Sequence, residues 1–252
     1  MRIKRIALII GLCGCLSGLS NLPAQIVPIS SGYNQNIEWE SVFTDGPPGK
    51  VNRAVVDSDS NYVVIFMPDD QSRIHKINGE TGERIWTVTI NNTVGFGVTE
   101  IKDSGRCDYI VSGGIGATQE RWIARLNGED GSTKWSKSYH YESGSRRYDA
   151  IRMTIIGSDG YIYGAGFIRG EEHATIFMDY GGDATVMKID PSTGDEIWTH
   201  SNPNTAYALA LVEASDGHLY YGSSIHGEDL TLTKLNKDGE EIWTRGLTGT
   251  DI

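Results

Sequence analysis

Five tryptophans, Trp39, Trp86, Trp135, Trp198 and Trp243, close five similar phrases. The fullest are Ile77-Asn78-Gly79-Glu80-Thr81-Gly82-Glu83-Arg84-Ile85-Trp86 and Ile189-Asp190-Pro191-Ser192-Thr193-Gly194-Asp195-Glu196-Ile197-Trp198. Leu126 to Trp135 and Leu235 to Trp243 repeat the pattern, and Asn36-Ile37-Glu38-Trp39 keeps only its end. Successive tryptophans lie 47, 49, 63 and 45 residues apart. A period of this size marks a repeat array in which each unit buries its apolar faces against its neighbours.

Each unit reads as four short strands. In the second they are Val98 to Ile101, Tyr109 to Ser112, Trp122 to Leu126 and Lys134 to Ser138. Asp103-Ser104-Gly105, Ser158-Asp159-Gly160 and Ser215-Asp216-Gly217 supply the turn between the first two strands, and Asn- or Asp-led turns precede each tryptophan. Tyr161, Tyr163 and Ala165 alternate with Ile162, Gly164 and Gly166, which is strand periodicity, and no amphipathic helix follows the N-terminal segment. The expected fold class is all-β: a β-propeller of four-stranded antiparallel blades, with four full blades plus partial ends. A β-sandwich would not repeat whole four-strand phrases. The five tryptophans are expected at equivalent buried places between blades, and Trp122 in a core strand beside Ile123.

The first residues bear on compartment. Arg2, Lys4 and Arg5 precede an apolar stretch from Ile6 to Leu19, and Ala24 offers a small residue for cleavage, the layout of a secretory signal peptide over 1–24. The apolar run is short for a bilayer span, so no membrane span is expected in the mature chain. Leu12-Cys13-Gly14-Cys15 loosely resembles a lipobox with Cys15 acylated, but Cys13 departs from that pattern, which ranks a lipoprotein below soluble export. Residues 25–36 form a linker and 37–252 the repeats. The expected location is secreted or in the cell envelope.

The whole chain carries a formal charge of −11, and without 1–24 it keeps 19 basic residues against 33 acidic ones. Such a surface repels phosphate backbones, and no basic patch offsets it, so nucleic acid is excluded as a partner. Once Cys13 and Cys15 leave with the leader, Cys107 is alone, and the fold must stand on its apolar core.

The run Val186 to Trp198 resembles the tryptophan-docking repeat of PQQ-like β-propellers, and Ser158 to Gly166 with Asp183 to Asp190 is similar to repeats in secreted bacterial proteins. The resemblance covers residues 36 to 252 and rests on turn and packing positions, so it implies fold far more than function. That family includes quinoprotein dehydrogenases and a non-enzymatic propeller lipoprotein of outer-membrane protein assembly. A dehydrogenase would imply a quinone cofactor over the axis, a calcium ion and adjacent cysteines, and the sequence has no cysteine pair; no cofactor is expected. The phasing, from a lone fourth strand at Ile37 to Phe43 to a first-strand-like tail at Thr250 to Ile252, is that of an incomplete ring, so the remainder of the same propeller is a possible partner.

No zinc, nucleophile-elbow or phosphate-loop motif is present. Gly164-Ala165-Gly166-Phe167-Ile168-Arg169-Gly170 imitates a dinucleotide fingerprint with one residue too many, and its glycines are expected to serve close strand packing. Asp57-Ser58-Asp59-Ser60-Asn61 has calcium-loop oxygens, but Tyr62 stands where that loop needs glycine, so a turn is expected and no metal.

The third unit departs from the repeat. Its 63 residues place extra length at Tyr139 to Tyr148 and Arg169 to Asp183, two loops that alternating strand direction puts on one face. They carry the candidate binding residues His140, Tyr141, Glu142, Arg146, Arg147, Tyr148, Glu171, Glu172, His173, Asp179 and Tyr180. No catalytic residue is assigned. The expected function is a non-catalytic binding scaffold for a protein, glycan or envelope component; the alternative is a fragment of a propeller enzyme whose catalytic residues lie in missing blades.

Overall fold

The computed structural model describes residues 39, 41, 43, 50–68, 71–103, 105–116, 120–140, 148–170, 182–225 and 229–247. All regular structure among them is antiparallel strand. Blade 1 consists of β1 (Lys50–Val56), β2 (Tyr62–Met67), β3 (Gln71–Ile77) and β4 (Arg84–Asn91), and blade 2 of β5 (Thr93–Asp103), β6 (Arg106–Ile115), β7 (Arg121–Leu126) and β8 (Thr133–Tyr139). Blade 3 begins with β9 (Tyr148–Ile156), β10 (Ile162–Gly170) and β11 (Asp183–Ile189). β12 (Glu196–Glu213) completes it and also opens blade 4, which continues through β13 (Leu219–Ile225), β14 (Asp229–Leu235) and β15 (Glu241–Leu247). The four blades of an incomplete propeller are therefore present.

Four separate sheets were expected, but the third and fourth blades form one seven-stranded sheet. Ala206 is the hinge of this sheet, pairing with Asp183 of β11 on one side and Ser224 of β13 on the other. The link between blades 1 and 2 is a single residue, Asn92, held at φ 57.

The apolar cores lie between blades. Ile65, Ile74 and Trp86 of blade 1 meet Tyr109, Val111 and Trp122 of blade 2; Ile110 and Ile123 of blade 2 meet Ile162 and Met187 of blade 3; Tyr163 and Val186 of blade 3 meet Leu211 and Tyr221 of blade 4. A strand sandwiched in this way needs apolar side chains on both faces. Residues 162–168 are accordingly all buried, where alternation alone suggested one buried face. Trp122 is in the core, as expected.

The tryptophan phrase has a physical explanation in the turn before it. Asn78 Oδ1 accepts from the Glu80 and Thr81 amides at 2.9 Å, and Asn127, Asp190 and Asn236 fold their turns in the same way. This leaves one turn carbonyl pointing at the preceding blade. Trp39 Nε1 donates to Gly79 O, Trp86 to Gly128 O, Trp135 to Pro191 O and Trp198 to Lys237 O, each at 3.1 Å. A glycine closes the turn: Gly131 has φ +76, and a Cβ there would stand 2.8 Å from the Trp86 ring.

Directly across the strand pair from each of the last four tryptophans stands a cation: Lys76, Arg125, Lys188 and Lys234. Lys76 and Trp86 share Gly128 O, and Arg125 and Trp135 share Pro191 O. The cations are neutralised at the same end by Asp57, Asp108, Asp159 and Asp216. Trp39, Trp86, Trp135 and Trp198 thus make the same bond to the following blade, while burial varies among the five tryptophans. Trp86 is buried, whereas Trp39, Trp135, Trp198 and Trp243 are half-buried. Trp39, Ser41 and Phe43 are the described residues of the Ile37 to Phe43 segment, and none is in a strand.

Asp57 Oδ1 accepts from the Asp59 and Asn61 amides and Oδ2 from Tyr109 at 2.6 Å, so the Asp57 to Asn61 segment is a turn tied to the next blade.

Candidate binding face at the crossover end of the blades

The blades have two ends. The hairpin end carries the β1–β2 and β3–β4 turns and their equivalents, and with them the tryptophans' carbonyls and the ion pairs. The crossover end carries the second hairpin of each blade and the passage from one blade to the next. In blade 3, Tyr148 pairs with Gly170 and Ile168 with Asp183, so both long connections of the third unit leave from the crossover end. Of the residues expected there, His140 is exposed with Nδ1 3.3 Å from Glu120 Oε1, and Tyr148 begins β9. Tyr141, Glu142, Arg146, Arg147, Glu171, Glu172, His173, Asp179 and Tyr180 lie outside the described residues.

The first strands of adjacent blades touch, β1 with β5, β5 with β9 and β9 with β12, and so line the inside of the fan. Near the crossover end each has a break in register. It falls between Val51 and Arg53 in β1, between Gly95 and Gly97 in β5, at Arg152 in β9, and between Ala206 and Ala210 in β12. A β-bulge re-aims the side chain of its extra residue. Here the residues concerned are Asn52, Phe96, Arg152 and the Tyr207 stretch, four comparable positions on four strands. Tyr207 has φ 22, a conformation that costs a non-glycine residue energy.

The partner strands are cut to accommodate the bulges. A Cβ on Gly113 would land on the Val94 carbonyl oxygen, and one on Gly166 on that of Ala150. Gly166 of the imitated dinucleotide fingerprint is thus explained by strand packing. Gly113→Ala is expected to cost about 2 kcal/mol through overpacking, measured by urea unfolding, because the β5 bulge must shift to admit the methyl group. An unchanged midpoint would show that the bulge is not constrained.

Chemically the face is mixed. Phe96 packs with Val94, Ala150 and Phe167, against half-buried Met67 and Tyr207. Asn52 Nδ2 donates to Gly95 O. The Arg152 guanidinium stacks on Phe96, 4.2 Å from the ring centroid. Burial and then the neighbouring Arg53 charge lower the pKa of Arg152 from its ordinary value. Spacing arguments missed these residues, since none stands out from the pattern. The available hint was Gly95-Phe96-Gly97, a strand-breaking triplet inside an apolar run.

At the hairpin end, a cavity of about 580 Å³ between blades 1 and 2 is lined by Ser58, Lys76, Lys102 and Cys107, among others. Ser58 Oγ stands 3.1 Å from Cys107 Sγ and donates to Glu100. The hydrogen bond to Glu100 outweighs the opposing bond to Ser58 and, with a lesser effect of burial, holds the thiol above its usual pKa, so it stays protonated and is a weak nucleophile. Among the described residues no group of three His, Cys, Asp or Glu side chains could hold a metal ion.

Comparison with known proteins agrees with the fold. The hydrazine synthase of Kuenenia stuttgartiensis superposes with a TM-score of 0.53 at 13% identity, over 79% of this chain and 54% of that one. Quinohemoprotein alcohol dehydrogenases from Comamonas testosteroni (TM-score 0.46, 14% identity, 74% of this chain and 34% of that one) and Pseudomonas putida HK5 (0.46, 13%, 78% and 34%) are also similar. The chain thus spans about half the length of the first and a third of the others. Identity this low carries fold and not activity. No curated protein matches the chain in sequence. The profile of one PQQ-like repeat family, described as outer membrane protein assembly factor BamB, matches residues 120–251. That match spans more than half of the chain, from the third strand of blade 2 through β15, so the protein belongs to this family of PQQ-like β-propellers.

Proposed function

We propose that this protein is a non-catalytic binding module of the cell envelope that receives a protein partner at the crossover end of its blades. The observation that carries the reading is the row of four bulges, at Asn52, Phe96, Arg152 and the Tyr207 stretch, near the end from which the two long connections of blade 3 depart. The hairpin end has register shifts of its own beside Trp86, Trp135, Trp198 and Trp243, on the fourth strands, but the bulges of the first strands and the long connections of blade 3 fall at the crossover end, and such departures from a repeat concentrate where a partner is received. The family's description as an assembly factor supports a protein partner in the envelope. The secretory layout of residues 1–24 supports export.

Catalytic readings find less support. Cys107, with its protonated thiol, sits at the opposite end from the bulges. The crossover end presents arginines, an asparagine and aromatic rings, which do not fit the calcium-bound quinone of the dehydrogenases.

Replacing 171–181 by a three-residue connection like the one joining Ile225 to Asp229 is the direct test. The shortened protein is expected to melt with the wild type and to lose capture of envelope proteins, read by cross-linking and mass spectrometry, with neither form retained on a glycan array. Undiminished capture by a well-folded shortened protein, or retention on glycans alone, would overturn the reading.

A further inference from the structure

Where β12 leaves blade 3 for blade 4, a small polar cluster lies in the joint. His200 and Asn202 stand two residues apart on β12 and approach the same atom of blade 4. Asn202 Nδ2 donates to Glu241 Oε2 at 3.2 Å, and His200 Nε2 lies 3.7 Å from that oxygen. The imidazole also stands 3.2 Å from the Tyr221 hydroxyl, with the two rings 5.9 Å apart. Glu241 is fixed from its other side, because Oε1 accepts from Thr244 Oγ1 at 2.8 Å. Of the charged groups, Glu241 acts on the ring. β11 places Val186 opposite His200, and its Lys188, one ladder pair further on, is taken by Asp159 at 2.9 Å. β14 contributes Thr233, bonded to Thr244, and burial pushes the Tyr221 hydroxyl of β13 up to about 12, so it stays neutral.

Asn202 also shapes the passage that follows it. Its Oδ1 accepts from the Asn204 amide at 3.0 Å and its backbone carbonyl from Thr205 Oγ1 at 3.3 Å. The passage then runs through Ala206 to Tyr207, whose φ of 22 persists only while its surroundings hold it. Burial keeps His200 uncharged at neutral pH, with its pKa below the ordinary 6.5 despite the opposing pull of Glu241. On taking a proton from solvent the ring becomes a donor at both nitrogens, and a bond between two charges outweighs the amide's bond to the same oxygen. Drawn to bonding distance of His200, Oε2 recedes from Asn202. The folded state holds this proton less tightly than the unfolded chain does. What the joint gains from the neutral ring is therefore complete above the unfolded-state pKa and is lost as pH falls through the lower folded value.

From this geometry we propose that His200 is an acid-operated release for the passage between blades 3 and 4: once protonated, it takes Glu241 from Asn202 and frees the Tyr207 stretch. Its effect on a partner rests on the crossover end being the binding face, whereas the release itself is a property of this chain alone.

The test follows the histidine ring nitrogens of the full chain by NMR titration and its backbone amides by hydrogen exchange, with rates corrected for the intrinsic effect of pH. His200 is expected to titrate below 6.5. In step with it, protection of residues 202–208 should fall at least about tenfold between about pH 7.5 and about pH 5, while β6 and β7 keep theirs. His200→Gln, which takes no proton, is expected to retain the protection at about pH 5. Glu241→Gln still offers Asn202 an oxygen but gives the imidazolium no charge, so it should move the loss to lower pH. Constant protection of the wild type across the titration of His200 would refute the release, whether or not the variants fold. So would an equal loss in a folded His200→Gln protein. If acid frees 202–208 while capture of envelope proteins by cross-linking is undiminished, the release stands and the crossover end is not the binding face. If acid lowers capture equally in the wild type and His200→Gln, with 202–208 protected in both, the release fails and the binding face stands.

Discussion

Trp86→Ala is expected to destabilise the protein by about 3–5 kcal/mol, whereas Trp243→Ala should cost about 1 kcal/mol or less. The two tryptophans occupy the same place in their phrases, and what differs is what lies against them. Trp86 is buried, donates to Gly128 O at 3.1 Å, lies under the Gly131 turn and packs at 5.9 Å against Tyr109, all in the next blade. Truncating it removes the ring and leaves a cavity between two sheets that cannot collapse. Trp243 is half-buried and meets Tyr220 and Arg245 of its own blade, and the same outer face exposes Leu230 and Leu247. For a chain of this size the larger effect corresponds to a fall in melting temperature of about 10 °C. Equal losses in the two variants would mean that the indole stabilises its own blade and not the joint.

Asp108→Asn should produce the second large effect and change how stability responds to acid. Asp108 is buried at 1% exposure and accepts from Arg125 Nε and Lys134 Nζ at 2.7 Å and from the Gly128 amide at 3.3 Å. Burial pushes its pKa up, but Lys134 and Arg125 outweigh burial and leave it below the ordinary 3.8. Removing the charge leaves the buried Arg125 with only the exposed Asp103 carboxylate and the Pro191 carbonyl as partners, and breaking its buried pair costs about 3 kcal/mol. The folded state holds this proton less tightly than the unfolded chain. The carboxylate's contribution is therefore complete above the unfolded-state pKa and disappears as pH falls through the lower folded value. Urea midpoints of the wild type should drop as pH falls from about 5 towards about 2, and those of Asp108→Asn should drop less. Asp57 and Asp159 are lowered in the same direction and will leave part of the slope in the variant. An undiminished slope would show that Asp108 is not among the groups that titrate with unfolding.

How much of this was legible depended on whether a feature repeats. The turn asparagines, the glycines after them and the tryptophans recur at one spacing, so their shared geometry could be read from the sequence. The cations opposite the tryptophans recur as well, at Lys76, Arg125, Lys188 and Lys234, but their role needed the strand register, because a charge beside an indole looks like solvated surface until its partners are known. The bulges left almost no trace. A bulge changes register by one residue, and the side chains it re-aims, asparagine, phenylalanine, arginine and tyrosine, share no chemistry. The continuity of β12 was hidden for a related reason. Asn202-Pro203-Asn204 is made of residues that disfavour strands, yet Ala206 holds ladder pairs on both sides, so pairing overrode local propensity. The long connections of blade 3 showed only as excess length, which identifies an end of the blade but not what is bound there.

The two blade-to-blade passages among the described residues are built differently, and this bears on how such an array can change over evolutionary time. Between blades 1 and 2 the chain turns on Asn92 alone, and between blades 3 and 4 it does not turn out of the sheet at all. An unequal recombination at Asn92 would excise or duplicate a self-contained sheet and restore an equivalent joint. The same exchange at Ala206 would divide a strand that serves two ladders and leave each half with an incomplete partner. Blades 3 and 4 are thus coupled as one heritable unit, while the first two remain interchangeable modules, and lineages that gain or lose blades should do so on the N-terminal side of Tyr148.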